Sequence, residues 1–222
     1  MSYLEIDIFS DPICPWCFIG KKRLEKAIEA RPDVNIDIRW RAFQLNPSMP
    51  KEGMDRQTYL EHKFGGPSGA AQVYGHIRDT GLKEGIDFNF EAIRRTPNTV
   101  NAHRLVRFAQ AFSSQKAFDL VDLLFQAYFY KGRDIGQIEE LIKLGEAVGL
   151  ESENLSNFML SSRFHSEIEE EDATARRLGI SGVPFFIVNG QYALSGAQEP
   201  QAFDPIFDLA KQRPTQEQAQ ES

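Results

Sequence analysis

The sequence predicts an α/β protein in which a strand–helix–strand unit and a helix–strand–strand–helix unit are separated by a long, all-helical segment. Three observations carry this reading. Both ends of the chain show period-two apolar alternation, the middle shows period-3.6 stripes, and clusters of glycine and proline punctuate the change of character. The chain has 222 residues, 41% of them hydrophobic and 26% charged, which describes an ordinary globular protein able to bury a sizeable core.

The elements follow in order. From Tyr3 to Phe9, Leu4, Ile6 and Ile8 fall on one side and Glu5 and Asp7 on the other, a strand pattern. A short loop, Ser10-Asp11-Pro12-Ile13, leads into Cys14-Pro15-Trp16-Cys17 and a helix that Pro32 ends. Alternation resumes over Val34 to Phe43, with Val34, Ile36, Ile38 and Trp40 on one face. Strand, helix and strand within 45 residues predict a parallel pair.

Breaker clusters at Leu45 to Pro50 and Gly65 to Gly69 open the middle segment. From about Asp55 to Phe164 the pattern is helical. One stripe has Ala102, Leu105, Val106, Ala109 and Phe112, the next Phe118, Val121, Leu124, Phe125 and Tyr128, and a third Ile138, Leu141 and Ile142. Ile86 to Phe90 is the single hint of a strand there. Glu167 to Leu178 reads as a further helix whose acids, Glu167 to Asp172, form a solvated face. Phe185 to Val188 and Tyr192 to Ser195 are short strands around Asn189-Gly190, a two-residue turn signal. A last helix carries Phe203, Ile206, Phe207 and Ala210, and residues 213–222 form a polar tail.

The chemistry resides in Cys14-Pro15-Trp16-Cys17, set between a strand and a helix. Thiol–disulfide exchange needs a nucleophilic sulfur and a second thiol able to resolve the mixed disulfide. Two intervening residues in a helix's first turn supply both. Unpaired N–H groups and the positive end of the helix dipole favour an anionic sulfur at Cys14, and Pro15 suits a first-turn position because its missing N–H has no intrahelical partner to lose. Cys17, one turn deeper, is expected to be buried. Structural zinc needs about four ligands, and the chain has two Cys and four scattered His. An inert pair of thiols is the other alternative.

Lesser candidates surround the motif. Asp11, three residues before Cys14, stands where it can influence the Cys14 proton, or is an ordinary acid near a helix start. Trp16 flanks a substrate groove or is a partly exposed aromatic. His103 and Arg104 sit beside the apolar stripe of their helix and read as surface or supporting residues. The net charge of −7 argues against binding to nucleic-acid phosphates or anionic membranes. The N-terminus has no signal-peptide pattern and no run of ~18 apolar residues occurs, so the expected location is the cytoplasm, where structural disulfides are rare. Oligomeric state is open.

With Ser181-Gly182-Val183-Pro184 ahead of a strand, the chain resembles the thioredoxin fold and specifically the DsbA-like superfamily, a thioredoxin-like fold interrupted by an all-α insertion domain. Arg41 to Pro47, Asn98 to Leu105 and Ser195 to Gln198 resemble its FrnE-like branch. The resemblance implies a cis Pro184 facing the cysteines, with Val183 main-chain groups binding an extended substrate. It also implies a disulfide oxidoreductase or isomerase acting through Cys14 and Cys17 on protein thiols or disulfides. No cofactor or metal is required, with glutathione as a candidate redox partner. Related kappa-class glutathione transferases and 2-hydroxychromene-2-carboxylate isomerases share the layout but typically lack the paired cysteines. A glutathione-dependent isomerase or transferase is therefore the alternative, and a client-holding binding module a third. On this reading residues 1–47 and 166–212 form the discontinuous core and residues 48–165 the helical insertion.

Overall fold

In the computed structural model, which describes residues 3–211, the first alternating segment forms strand β1 (Tyr3–Ser10), followed by helix α1 (Pro15–Glu29) and strand β2 (Asn35–Ala42). β1 and β2 pair in parallel from Tyr3↔Asn35 to Ser10↔Ala42. The other half of the sheet comes from the far end of the chain. Strand β5 (Phe185–Val188) runs antiparallel to β1, with Ile6 opposite Val188 and Phe9 opposite Phe185, and strand β6 (Tyr192–Ser195) completes the order β2-β1-β5-β6.

Alternation assigns the two faces of β1. Leu4, Ile6 and Ile8 are buried against α1, Phe186, Val188 and the C-terminal helix α9 (Asp204–Lys211), whose stripe contributes Phe207, with Phe203 just ahead of it. Phe9 faces the other way, into a cluster with Phe43, Ala175 and Ile180 beneath helix α8 (His165–Arg177). A strand covered on both faces must be apolar on both, and β1 is so at its C-terminal end, where the site lies.

Between the halves run α2 (Arg56–Phe64), α3 (Pro67–Lys83), α4 (Val100–Phe112), α5 (Ser114–Phe129), α6 (Ile138–Ala147) and α7 (Ser152–Leu160). Their apolar stripes do not form a core of their own. Phe18 of α1 stacks on Phe125 of α5 at 5.0 Å, and Trp40 of β2 meets Phe118 of α5 at 6.2 Å. One aromatic seam thus joins the sheet unit to the helices.

Several expectations are corrected. Ile86 to Phe90 forms no strand; a 3-10 turn, Phe90–Ala92, follows it, and the strand pairing lies at β3 (Met54–Asp55) and β4 (Arg95–Thr96), two residues each and too short to show a period. Phe112, counted in the α4 stripe, is exposed at the helix end. The β5–β6 turn, by contrast, stands as expected: Asn189 and Gly190 are its two central residues with positive φ of 50° and 65°, Gln191 N–H closes it on the Val188 carbonyl, and Val188 pairs with Tyr192. The acidic face of α8 is only partly solvated. Glu171 and Asp172 turn inward and accept the backbone N–H groups of Ala42 (2.8 Å) and Gln44 (2.7 Å). The polar tail at 213–222 and the side chain of Ala210 lie outside the described residues.

Candidate active site

Chain geometry at the end of β1 places the cysteines. Cys14 N–H bonds to Asp11 C=O at 2.9 Å, a turn that ends the strand and sets Cys14 as the N-cap of α1. Pro15 occupies the first helical position, and the N–H groups of Cys17 and Phe18 both bond to the Cys14 carbonyl. Cys14 and Cys17 are free thiols, 3% and 2% exposed. Trp16 is half-buried, its ring 5.8 Å from His76 of α3.

The second half of the chain closes over this turn. The Val183–Pro184 bond is cis, and the Cys14 Sγ donates to the Val183 carbonyl at 3.5 Å, across 169 residues of sequence. The approach is close enough to dictate a residue on α1. A β-carbon on Gly20 would stand 2.7 Å from Pro184 Cγ, so α1 can lie against Pro184 only where that side chain is absent. Glycine inside a helix costs about 1 kcal/mol relative to alanine; its position here is explained by contact.

Burial pushes the Cys17 thiol well above its ordinary value, and the Cys14 sulfur beside it adds to the shift. Two donors oppose this, the Ser10 hydroxyl and the Asp11 backbone N–H, both directed at the Cys17 sulfur. Behind them lies Asp11, fully buried, whose carboxyl accepts from Leu45 N–H at 2.7 Å and Ile13 N–H at 3.3 Å. Loss of water outweighs these bonds and pushes the Asp11 carboxyl up to about 7.

His103 and Arg104, expected at the surface or in support, are both buried, because α4 packs against β2, α5, α6 and α8. Arg104 donates to the carbonyls of Phe158, Ser161 and Arg163, satisfying acceptors at the end of α7. The His103 Nε2 lies 4.0 Å from Asp11 Oδ1, and burial, opposed by the neighbouring Phe43 backbone, lowers the pKa of the ring to about 4. Ser10, Gly20 and the inward position of His103 escaped the sequence reading. Only Gly20 left a signal, a glycine inside a helix three residues after Cys17. Among the described residues, no group of three or more His, Cys, Asp or Glu could hold a metal ion, and no helix is long and apolar enough to cross a membrane.

A helix-capping thiol pair facing a cis-proline on a four-stranded mixed sheet defines a thioredoxin-type architecture. The family model of the DSBA-like thioredoxin domain matches residues 5–207, and the chain belongs to that family. Its fold is the thioredoxin-like fold with a helical insertion, and its class is that of the DsbA-like thiol oxidoreductases. The uncharacterised protein YwbO of Bacillus subtilis (strain 168) is 28% identical over 213 residues, covering 95% of this chain and 99% of YwbO. The crystal structure of the probable DsbA oxidoreductase SCO1869 from Streptomyces coelicolor is similar at a TM-score of 0.82 and 28% identity, covering 96% of this chain and 92% of that one. A 2-hydroxychromene-2-carboxylate isomerase shares the fold at a TM-score of 0.66 and 16% identity, covering 98% and 99%.

Proposed function

We propose that the protein is a thiol–disulfide oxidoreductase in which Cys14 forms the mixed disulfide with substrate and Cys17 resolves it. The observation that carries this reading is the pair of free thiols in the first turn of α1, the outer one at the N-cap and hydrogen-bonded to Val183 O. In the direction that reduces the substrate, Cys17 attacks the Cys14 sulfur of the mixed disulfide. The Cys14–Cys17 bond forms, the Cys14–substrate bond breaks, and its electron pair leaves on the substrate sulfur, which takes a proton. The direction that oxidises the substrate is the reverse.

Pro15 and Trp16 form the loop between the thiols, and Val183 and Pro184 the wall along which an extended substrate lies, hydrogen-bonding to the Val183 main chain. The substrates are protein thiols and disulfides or glutathione in the cytoplasm, and the reaction draws on no metal or other cofactor. Insulin reduction by the purified protein tests the activity. It is expected to vanish in Cys14→Ser, while Cys17→Ala accumulates mixed disulfides on Cys14 that mass spectrometry identifies. A Cys14→Ser variant with unchanged activity overturns the reading.

Fold similarity to the isomerase favours a second reading, a glutathione-dependent isomerase or transferase. Cys17 stands against it, since that chemistry needs no resolving thiol. Isomerase activity that survives Cys17→Ala, with only glutathione trapped on Cys14, would decide for it. Client binding that is indifferent to Cys14→Ser would decide for a binding module.

A further inference from the structure

Helix α1 meets Pro184 at Gly20, and one turn further on it carries Arg23, a buried cation to which the exchange reaction outlined above gives no part. Arg23 is 7% exposed. Its Nε donates to Glu84 Oε1 at 2.7 Å, its Nη1 to the Ala197 carbonyl at 2.7 Å, and its Nη2 lies 2.6 Å from Glu199 Oε1. Glu84 is the C-cap of α3 and also holds Lys26 at 2.6 Å. Ala197 and Glu199 belong to the loop that leaves β6. One planar group thus ties the cysteine helix to the helical segment on one side and to the last part of the chain on the other. The loop in turn reaches the site. Gly196, at a positive φ of 80° that favours glycine, donates its N–H to the Pro184 carbonyl at 2.8 Å. Gln198 folds back on the same turn, its N–H on Gly196 C=O and its side chain on Ser195 C=O. Pro184 follows Val183, whose carbonyl accepts from Cys14 Sγ.

We propose that Arg23 is a positioning residue for the exchange reaction: by holding the loop from Gly196 to Glu199 it fixes Val183 and Pro184 at the distance from Cys14 that lets an extended peptide pair with the Val183 main chain while its sulfur meets Cys14. The inference rests on the exchange reaction proposed above. Arg23 touches neither thiol; it acts through Gly196 and Pro184. As a stability device a buried ion pair is poor, because the loss of water offsets the attraction. What a guanidinium supplies is direction, since its rigid fork satisfies several acceptors only when they stand in one arrangement. The two residues of α1 divide the work. Gly20 sets how near Pro184 can come, and Arg23 keeps it from drifting away. The substrate this arrangement serves is a polypeptide, because a small disulfide has no main chain to lay along Val183.

Two measurements test this. The dithiol protein is mixed either with dithionitrobenzoate or with an extended hexapeptide whose cysteine is blocked by thionitrobenzoate, and attack by Cys14 releases the same chromophore from both. The peptide rate, taken relative to the small-disulfide rate in the same variant, is expected to fall about 5–30-fold in Arg23→Gln, the equivalent of one or two hydrogen bonds to the peptide. Arg23→Lys keeps the charge without the fork and is expected to fall with it. An unchanged ratio in Arg23→Gln, or a full ratio in Arg23→Lys, overturns the proposal. Glu199→Ala removes one partner at a side chain that is 66% exposed, so it spares the core. It is expected to lower the ratio about 2–3-fold alone and to add nothing to Arg23→Gln; an equal further fall there overturns the proposal. Amide hydrogen exchange reads the geometry without substrate. Gly196 N–H is expected to exchange on the order of tenfold faster in Arg23→Gln, with Cys17 N–H unchanged. Equal exchange at Gly196, or equal acceleration at both amides, overturns the proposal. Release from neither disulfide in the wild type would instead refute the exchange reaction, and the Gly196 amide would still decide whether Arg23 holds the wall.

Discussion

Asp11 and His103 place opposite demands on the pH dependence of stability. The Asp11 carboxyl is raised from 3.8 to about 7, so the native state holds a proton that the unfolded chain has lost. Its contribution is fully present below pH 3.8 and disappears as pH rises through 7. His103 is lowered from 6.5 to about 4; its contribution is present above 6.5 and disappears as pH falls through 4. Each is on the order of 3–4 kcal/mol between its extremes, and from about pH 4 to 6.5 the two slopes cancel. Asp11→Asn removes one of them. Urea unfolding of this variant is expected to show stability that falls with acid between pH 6.5 and 4, where the wild type is nearly flat, and a relative gain over wild type above pH 7. At this scale the placement of Cys14 and Cys17 at a helix start was legible because it follows from local spacing. Ser10 and His103 were not, because a residue beside an apolar stripe reads as exposed until a second layer, here α8, covers it.

At the scale of elements, the contact of α1 with Pro184 fixes how the cysteine-bearing helix meets the segment that leads into β5. Gly20→Ala introduces a carbon 2.7 Å from Pro184 Cγ, and a packed interface yields to such overpacking at a cost of about 1–3 kcal/mol. Helix propensity alone predicts the opposite sign, a gain of about 1 kcal/mol. Thermal unfolding is therefore expected to show a lower midpoint for Gly20→Ala, accompanied by slower insulin reduction; a raised midpoint would mean that the interface relaxes freely. Strands β1, β2, β5 and β6 and helices α1, α4 to α6 and α8 were readable because each is long enough, or alternates cleanly enough, to display its period. The two-residue β3 and β4 were unreadable, having no room for one. The β5–β6 turn was located by Asn189-Gly190, whose positive φ values are those that the two-residue signal demands.

Across the whole molecule, the helical segment and the sheet unit are distinct in topology and continuous in packing. We propose that residues 48–165 are an insertion that has lost folding independence, since Phe18 of α1 lies against Phe88, Phe125, Phe129 and Tyr130. Phe125→Ala is expected to cost about 3–5 kcal/mol and to lower far-UV and near-UV circular dichroism in one shared transition on denaturation. Two separate transitions would show that the segments fold apart. The sequence exposed the change of periodicity at the boundary but not this seam, because a helical stripe does not say what it faces.

The pairing of β1 with β5 and the bond from Cys14 to Val183 also set an order in time. During synthesis Cys14 is made 169 residues ahead of Val183, and β5, which pairs with β1, follows directly after Pro184. Translation proceeds at about 5–20 residues per second, so for on the order of ten seconds the thiols exist without the wall that later shields them. During that interval the thiols lie open to oxidation, and the arrival of Val183 and Pro184 is what ends the exposure.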